Sequence, residues 1–422
     1  MSFDLIRNAI ADGKHLFIGG GAGVGKTTIT KQLVNHLKEK ESNFALTTTT
    51  GIASLQYDNA ETIHRCTGIG IKTNPNDLNR VTSGRWREKN FPRLRQLEYL
   101  ILDEVSLMRP DTLELINLVL QKAKGNYLKP FGGVQAIFVG DWLQLPPVIK
   151  QEEELVHRWA FQSDIWKSLN PEPIILMKVH RQNDEQFITA LRRVRAGMLD
   201  GPTNYYLQQT ENHVFDKEVT PLKIMSTNDK VDDYNVNELS KLTDANETYT
   251  AKIAFEDEFV KKKIMDDCPA PFVLNLKKGC QVIILKNDPE GEYVNGSMGF
   301  YQGQNGDKEL VIELMSNGEK VFIDKHKWVI EDHLKDNQTM ELASLVQYPV
   351  KLGYAITVHR SQGMSLDCAE IDMQRFFACG QAYVALSRVR TYQGLKIKNY
   401  HPKHVKVDEL ALNFYKDLAL RN

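Results

Sequence analysis

Short apolar runs alternate along most of the chain with segments in which apolar residues recur at helical spacing. Leu16-Phe17-Ile18 is typical of a buried strand, and residues 29–39 follow with the apolar spacing of a helix. This alternation predicts an α/β fold. Further strands are predicted at 44–51, 99–104, 134–140, 174–177, 222–225, 350–357, 369–373 and 395–398, and helices at 4–11, 52–57, 184–198, 380–386 and 410–420.

Helical periodicity fades between about residues 243 and 342. Residues 277–285 and 293–300 have the pattern of short strands, and 309–314 and 320–323 add two more around an Asn-Gly turn. This pattern predicts a small all-β barrel inserted into the second half of the chain. We therefore expect a first domain at 1–170, a second at 171–242 and 343–422, and the inserted domain at 243–342.

One segment of the first domain, residues 67–96, interrupts the α/β pattern. It contains prolines, a run of cations and interleaved aromatic residues: Pro75, Pro92, Arg85, Arg87, Lys89, Arg93, Arg95, Trp86 and Phe91. Mixed cations and aromatics favour a loop or hairpin that touches nucleic acid. A solvated surface excursion has the same composition and stays open as the alternative.

Composition excludes several classes of protein. Of 422 residues, 42% are hydrophobic and 25% charged, as in ordinary globular domains. No stretch approaches the ~18 consecutive apolar residues of a membrane span, and the N-terminus lacks an apolar signal core. We therefore expect no membrane association and an intracellular protein, cytoplasmic or nucleoid-associated. Five dispersed cysteines without a CxxC pair argue against a disulfide framework and a zinc site.

The net charge of −1 says little about partners. A nucleic-acid binder need not be basic overall if its cations line one groove, but the sequence shows no basic footprint.

The clearest chemical motif lies between the first strand and its helix. Residues 19–28, GGGAGVGKTT, contain the spacing GxxxxGK[ST] in a strand–loop–helix context, which predicts a phosphate-binding P-loop. Glycines let backbone N–H groups wrap a polyphosphate at the positive end of the helix. Lys26 would reach the β- and γ-phosphates, and the Thr27 hydroxyl would bind Mg²⁺. A glycine-rich turn without a ligand is the alternative.

Two later strand ends carry groups that complete such a site. The strand at 99–104 ends in Asp103 and Glu104, a Walker-B pattern. Asp103 would hold Mg²⁺ through water, and Glu104 would orient or deprotonate the attacking water. Gln144, just beyond the strand at 134–140, could sense a γ-phosphate. An acidic strand end without a ligand is the alternative for the two carboxylates.

The second half lacks a glycine loop but offers Arg181 and Arg388 directly after apolar elements. An arginine against a γ-phosphate stabilises the charge of the transition state and can contribute ~10³–10⁵ in rate. If these arginines belong to a separate domain, catalysis requires the two domains to close. A surface salt bridge is the alternative for each arginine alone.

Hydroxyl and imidazole groups follow the second strand in a threonine run and in Thr62-Ile63-His64-Arg65. Such groups at strand ends suit contact with a phosphate backbone. Taken alone, a threonine run is more often an ordinary strand edge.

An ordered set of motifs resembles one known family. The segments GGAGVGKTT, TTTTGIA, TIHR, LILDEVSLM, VGDWLQLPPV, VHRQ, NGSMG, ITVHRSQGMSLD and AYVALSRVR occur in the order found in PIF-type helicases, the RecD-like enzymes of superfamily one that translocate 5′→3′. The likeness extends over nearly the whole chain. It implies two RecA-like domains in tandem, a wedge at 67–96, an SH3-like barrel inserted in the second domain, ATP between the domains and single-stranded DNA across them.

The resemblance also implies roles for individual residues. ATP would be bound by Gly21, Ala22, Gly23, Val24, Gly25, Lys26, Thr27, Thr28 and Gly363, with Mg²⁺ on Thr27 and Asp103. The catalytic residues would be Lys26, Glu104, Gln144, Arg181 and Arg388. DNA would lie near Thr48, Thr49, His64, Trp142, His359 and Ser361. The implied partners are single-stranded DNA and duplex junctions, and the implied state is a monomer.

The sequence departs from the family at one position. Relatives carry a Gln ahead of the P-loop that reads adenine, whereas this chain has no Gln before Gln32, and Phe3 lies near the expected position. Nucleoside triphosphates other than ATP are therefore expected to serve.

Other functions are compatible with the residues alone. An RNA helicase or a 3′→5′ motor would use the same nucleotide motifs, because sugar discrimination and direction depend on other contacts. A nucleotide-gated binding module is a third possibility. The guanine-reading motif Asn-Lys-x-Asp is absent from the sequence, which disfavours a GTPase switch.

Overall fold

A computed structural model describes residues 2–54, 56–57, 60–69, 75–147, 157–215, 221–256, 258–288, 290–293, 295–333 and 339–421. Its first sheet is parallel and has the strand order β3-β2-β4-β5-β1-β6 within these residues. The strands are β1 Leu16–Gly20, β2 Phe44–Thr48, β3 Glu61–Thr62, β4 Tyr99–Asp103, β5 Gln135–Gly140 and β6 Glu172–Leu176. The helices around it are α1 Ser2–Ala11, α2 Lys26–Glu39, α3 Gly51–Ser54, α4 Ile63–Thr67, α5 Leu78–Val81, α6 Gly84–Gln96, α7 Pro110–Lys124 and α8 Asp164–Leu169.

The predicted domain boundary at 170/171 is wrong. Strand β6 pairs with β1 from Leu16 opposite Glu172 to Gly20 opposite Leu176, so it belongs to the first sheet. The residues after β6 lie beside the P-loop, where the His180 backbone amide donates to the Gly23 carbonyl at 2.8 Å. An apolar strand has the same sequence pattern in either sheet, and only its pairing partner decides its domain.

The second domain begins with α9 Glu185–Ala196, α10 Gly201–Gln209, β7 Leu222–Met225 and α11 Asn228–Ser240. The inserted segment follows with β8 Glu247–Thr250, β9 Lys252–Phe255, α12 Glu258–Asp267, β10 Val273–Leu276, β11 Gln281–Ile284, β12 Met298–Gln304, β13 Leu310–Leu314, β14 Lys320–Ile323, β15 His326–His333, β16 Thr339–Gln347 and β17 Val350–Leu352. The second domain resumes with β18 Ala355–Thr357, β19 Ala369–Asp372, α13 Gln381–Leu386, β20 Leu395–Lys398 and α14 Glu409–Arg421. Its parallel sheet has the order β18-β7-β19-β20.

The insertion consists mainly of strands, as predicted, and the structure shows that they pair antiparallel; it ends later than residue 342. Strands β14-β13-β12-β11-β17 form one sheet, β15-β16-β9 a second, and β10-β8 a pair. The predicted strand at 350–357 is two strands in two sheets, separated at Gly353, where a Cβ would lie 2.7 Å from the Ile283 side chain. The helix α12 within the insertion was not predicted.

The described part of segment 67–96 is largely helical, with α5 and α6 in place of the predicted loop or hairpin. Its helix α6 buries Phe91 and Leu94 in the core of the first domain. The Arg93 guanidinium bonds to Glu61 at 2.8 Å and to the Cys66 carbonyl at 2.9 Å, which fixes the end of the helix. Residues 70–74, and the side chains of 84–89 with their predicted cations and Trp86, lie outside the described residues.

An aromatic cluster joins the end of the chain to the first domain. Trp142 is fully buried, its ring stacked 5.5 Å from that of Phe17 and edge-on to Trp166 and Phe414. Because Phe414 lies on α14, the last helix returns from the second domain and packs on the first. No helix among the described residues is long and apolar enough to cross a membrane.

We expect Phe414→Ala to lower the free energy of unfolding of the first domain by about 2–3 kcal/mol, because it removes a partly buried aromatic ring from this cluster. Urea unfolding followed by tryptophan fluorescence measures this, since Trp142, Trp159 and Trp166 lie in the same core. Leu420→Ala on the same helix is the control: this side chain is 85% exposed, and its loss should change stability by less than about 0.5 kcal/mol. Equal effects of the two changes would contradict the packing of α14.

Candidate nucleotide site

The predicted P-loop lies between β1 and α2 and has the backbone geometry of a cradle. Gly23 and Gly25 have φ angles of +74° and +87°, in the left-handed region that favours glycine. A Cβ on Gly23 would lie 2.7 Å from the Arg181 Cβ, so a larger residue would not fit. Lys26 Nζ donates to the Gly20 and Gly21 carbonyls at 2.8 Å each, which holds the ammonium group inside the loop. Burial lowers the pKa of Lys26, and Asp141, Glu104 and Asp103 oppose this shift.

The predicted Mg²⁺ ligands lie beside this loop. Asp103 ends β4 with its side chain buried, and burial raises the pKa of its carboxyl. The carboxylate accepts from the Tyr57 hydroxyl and, at 2.8 Å, from the Glu104 amide. Thr27 Oγ1 lies 3.3 Å from Gln56 Oε1. A buried carboxylate beside a hydroxyl fits an oxygen-ligated cation that keeps several waters.

Glu104 takes a left-handed conformation with φ +56°, which is uncommon for a residue with a side chain. Its carboxylate accepts from Gln362 Nε2 at 2.9 Å, a contact from the second domain. Burial, and next the charge of Asp103, raise the pKa of Glu104 to about 7. A carboxylate with this pKa is a stronger base than an ordinary glutamate and suits the activation of a water molecule.

Both predicted arginines lie at the P-loop. Arg181 follows β6, and its Nη1 donates to the Ser387 carbonyl at 2.9 Å. Arg388 is buried and donates to the Val384 carbonyl at 2.8 Å and to the Ser387 hydroxyl at 3.0 Å. Burial, and next the charge of Arg181, lower the pKa of Arg388 to about 9. Among the described contacts neither guanidinium forms a hydrogen bond or direct ion pair with a carboxylate, although the charge of Glu104 acts on Arg388. Both are therefore available to bind an anion.

The second domain touches the nucleotide loop through two further residues. The Tyr383 hydroxyl, on α13, accepts from the Ala22 amide at 2.7 Å. Gly363 has φ +82°, and a Cβ there would collide with the Gln56 amide, which itself contacts Thr27. Gly363 therefore lies next to Gln56, whose side chain contacts the predicted Mg²⁺ ligand Thr27.

Three of the residues predicted to lie near DNA have buried side chains. Trp142 is fully buried in the aromatic cluster, because the chain end covers it. Thr48 and Ser361 are also buried, and their hydroxyls donate to the Thr50 and Val358 carbonyls at 2.8 and 2.7 Å. A local motif cannot show that a later helix or a nearby carbonyl takes up such a group.

The other three predicted contacts lie at accessible strand ends. Thr49 and His64 are half-buried beyond the paired ends of β2 and β3, and Thr49 donates to the Glu104 carbonyl at 3.0 Å. His359 is exposed beyond β18 of the second sheet.

Gln144 lies in a network that the sequence did not indicate. Its Nε2 is 3.4 Å from Asp141 Oδ2, and Asp141 also binds Arg195 and Tyr415. Asp141 could have been noticed because it follows a strand directly. Arg195, Tyr415, Tyr57 and Tyr383 belong to helices or loops whose local pattern gives no such signal.

Comparison with known proteins agrees with this geometry. A family model described as PIF1-like helicase matches residues 2–204. The ATP-dependent DNA helicase PIF1 of Xenopus laevis is 33% identical over 424 residues, which cover 99% of this chain and 64% of that protein. Pif1 of Bdellovibrio bacteriovorus is 30% identical over 98% of this chain and 90% of its own length. The chain thus spans less than two thirds of the frog protein but most of the bacterial one.

Solved structures show the same fold. Pif1 helicase from Candida albicans superimposes with a TM-score of 0.83 at 28% identity, covering 99% of this chain and 98% of the other. Bacteroides sp Pif1 in complex with ADP-AlF4 gives 0.84 at 27% identity, covering 100% and 97%. Bacteroides Pif1 bound to ssDNA gives 0.74 at 28% identity, covering 99% and 96%. With the matched motifs gathered at one site, and relatives similar over nearly its whole length, this chain belongs to the PIF1-like helicase family.

Proposed function

We propose that the chain is an ATP-dependent DNA helicase that moves 5′→3′ on single-stranded DNA and unwinds duplex, with forks, G-quadruplexes and DNA–RNA hybrids as candidate substrates. The observation that carries this proposal is a nucleotide site built from both domains. Lys26 is held inside the P-loop, Arg181 lies against Gly23 of the same loop, and the charges of both Lys26 and Arg388 act on Glu104. Such a site changes with the phosphate it holds, and that change can move the domains.

Each residue has a part in this proposal. Lys26 and the loop amides bind the β- and γ-phosphates, while Thr27 and Asp103 hold Mg²⁺, which neutralises phosphate charge. Glu104 accepts a proton from the attacking water or orients it, and Gln144 senses the γ-phosphate. Arg181 and Arg388 exchange their carbonyl partners for the phosphate and stabilise the charge that develops on it.

We propose two RecA-like domains in tandem, revised from the sequence boundaries to about 1–182 and 183–242 with 353–422. The segment 243–352 is proposed as an SH3-like barrel over the DNA, and the helical segment 67–96 as the wedge that meets the duplex. DNA would cross the carboxyl ends of both parallel sheets, where Thr49, His64 and His359 lie. We also propose that the protein acts as a monomer inside the cell.

Tailed duplexes test the function directly. We expect single-stranded DNA to stimulate ATP hydrolysis and the protein to unwind a duplex with a 5′ single-stranded tail but not one with a 3′ tail. The matched Lys26→Ala variant should do neither, because the phosphates lose their cation. Unwinding only from 3′ tails, or only of RNA, would favour the alternative motors. Nucleotide binding without DNA stimulation would favour a gated binding module.

The roles of the base and the arginine are separable by mutation. We expect Glu104→Gln and Arg388→Ala each to lower the turnover number by about a hundredfold or more, since each removes a group needed in the transition state. ADP affinity should stay within about threefold in both variants, measured by titration calorimetry. If Arg388→Ala weakened ADP binding as much as it slowed turnover, Arg388 would be a ground-state ligand instead.

Base selectivity is a further part of the proposal. Phe3 packs edge-on against His36, with ring centroids 6.2 Å apart, and its apolar ring offers no group that could hydrogen-bond to adenine. We expect GTP, CTP and UTP to support DNA-stimulated hydrolysis with kcat/KM within about tenfold of that for ATP. If the site formed a required hydrogen bond to adenine, nucleotides unable to form that bond would lose far more than tenfold in kcat/KM. A preference for ATP of a thousandfold would show that another residue reads the base.

A further inference from the structure

A buried ion pair joins the two domains beside the nucleotide site. Asp141 follows β5 of the first domain, and its side chain has no exposed surface. Arg195 donates to its two oxygens from Nε at 3.0 Å and from Nη2 at 2.6 Å. Arg195 lies on α9, whose buried face belongs to the core of the second domain. The pair therefore crosses the domain interface as a planar, two-pronged contact.

A third group comes from the end of the chain. The Tyr415 hydroxyl donates to Asp141 Oδ1 at 2.9 Å and accepts from the Trp142 amide at 3.3 Å. The Arg195 guanidinium lies 4.7 Å from the centre of the Tyr415 ring. The helix α14 is thereby attached to the same carboxylate as α9.

Arg195 differs from the two arginines assigned to phosphate. A Cβ built on Gly21 would lie 3.7 Å from its Cδ and Nε, so its stem runs along the P-loop. Its charge, however, is already neutralised by Asp141. Although burial alone would raise the pKa of Asp141, Arg195 holds it below the usual value, so the carboxylate is ionised. Removing the Arg195 guanidinium would leave the charge of the Asp141 carboxylate poorly paired, which is costly inside a protein.

The ionised carboxylate also faces the predicted γ-phosphate sensor. Asp141 accepts from the Leu143 amide at 3.2 Å and lies 3.4 Å from Gln144 Nε2. Because a carboxylate only accepts, the amide nitrogen of Gln144 must point toward it, and the amide oxygen points elsewhere. A Cβ on Gly380, at the start of α13, would collide with the Gln144 carbonyl. Gln144 is thus held between Asp141 and the helix that leads to Arg388.

We propose that Arg195 and Tyr415 are positioning residues that act through Asp141 to orient Gln144 toward the γ-phosphate. Their contacts come from α9 and α14, so the orientation of Gln144 depends on how the second domain and the chain end sit on the first domain. This inference rests on the proposed function, because it assigns Gln144 to the phosphate site.

The test compares two ligands on the same protein sample. Titration calorimetry with full-length protein and Mg²⁺ measures the affinities for ADP and for ADP with aluminium fluoride, which mimics the transferring phosphate. We expect Arg195→Lys and Tyr415→Phe each to weaken binding of the aluminium fluoride complex by about tenfold, as for one lost charge-assisted hydrogen bond. Affinity for ADP should stay within about twofold. An unfolded fraction would lower the number of binding sites in both titrations alike, so it is distinguished from a change in the ratio of affinities.

A control and a double variant sharpen the result. Tyr392→Phe removes a comparable hydroxyl, bonded to the Tyr206 carbonyl at 2.8 Å within the second domain, and should leave the ratio unchanged. Because both positioning residues act through one carboxylate, the double variant should lose about as much as one single variant.

Two outcomes would overturn the inference while the proposed function stands. These are a ratio of affinities that stays unchanged in both single variants, and multiplied losses in the double variant. A parent protein that bound neither ligand would overturn the proposed function first, and the inference with it.

Discussion

The structure depends on buried positive charge whose hydrogen-bond acceptors are uncharged. Among the described contacts, Lys26, Arg181 and Arg388 donate to backbone carbonyls and a serine hydroxyl. Carboxylates act on Lys26 and Arg388 without a direct ion pair among these contacts. Burying charge that no direct ion pair neutralises is costly. In the proposed mechanism a polyphosphate relieves that cost, and it does so best when both domains contribute. The nucleotide is thereby tied to the relation between the domains.

The acidic groups in the same region are divided between two roles. Asp103 and Glu104 face the predicted metal and water positions, and burial raises the pKa of both. Asp141 instead has a full set of donors, which keeps its charge and fixes its place. One carboxylate is therefore structural, and the other two are available for chemistry. The contact between the domains therefore uses a carboxylate other than the two proposed for metal and water, and it meets the proposed phosphate site at Gln144.

Local spacing drew attention to the nucleotide loop, the end of β4 and the two arginines, because each is a short motif that follows a strand or a helix. Tertiary contacts could not be predicted in this way. The sequence gives no sign that Tyr57 would bond to Asp103, or that Tyr415 would cross 274 positions to reach Asp141. The burial of Trp142 could not be predicted for the same reason. Pairing, rather than hydropathy, assigned β6 to the first sheet and β17 to the insertion. The helix α6 was missed because its cationic, proline-containing sequence has the composition of a loop.

We propose that one nucleotide is gripped by Lys26 from one side and by two arginines from the other. A crystal structure of this protein with Mg²⁺, ADP and aluminium fluoride would test this arrangement. We expect the Arg181 and Arg388 guanidinium groups to leave the Ser387 and Val384 carbonyls and to lie within hydrogen-bonding distance of the fluoride. Both arginines still bonded to those carbonyls, with the fluoride contacted by Lys26 alone, would contradict it.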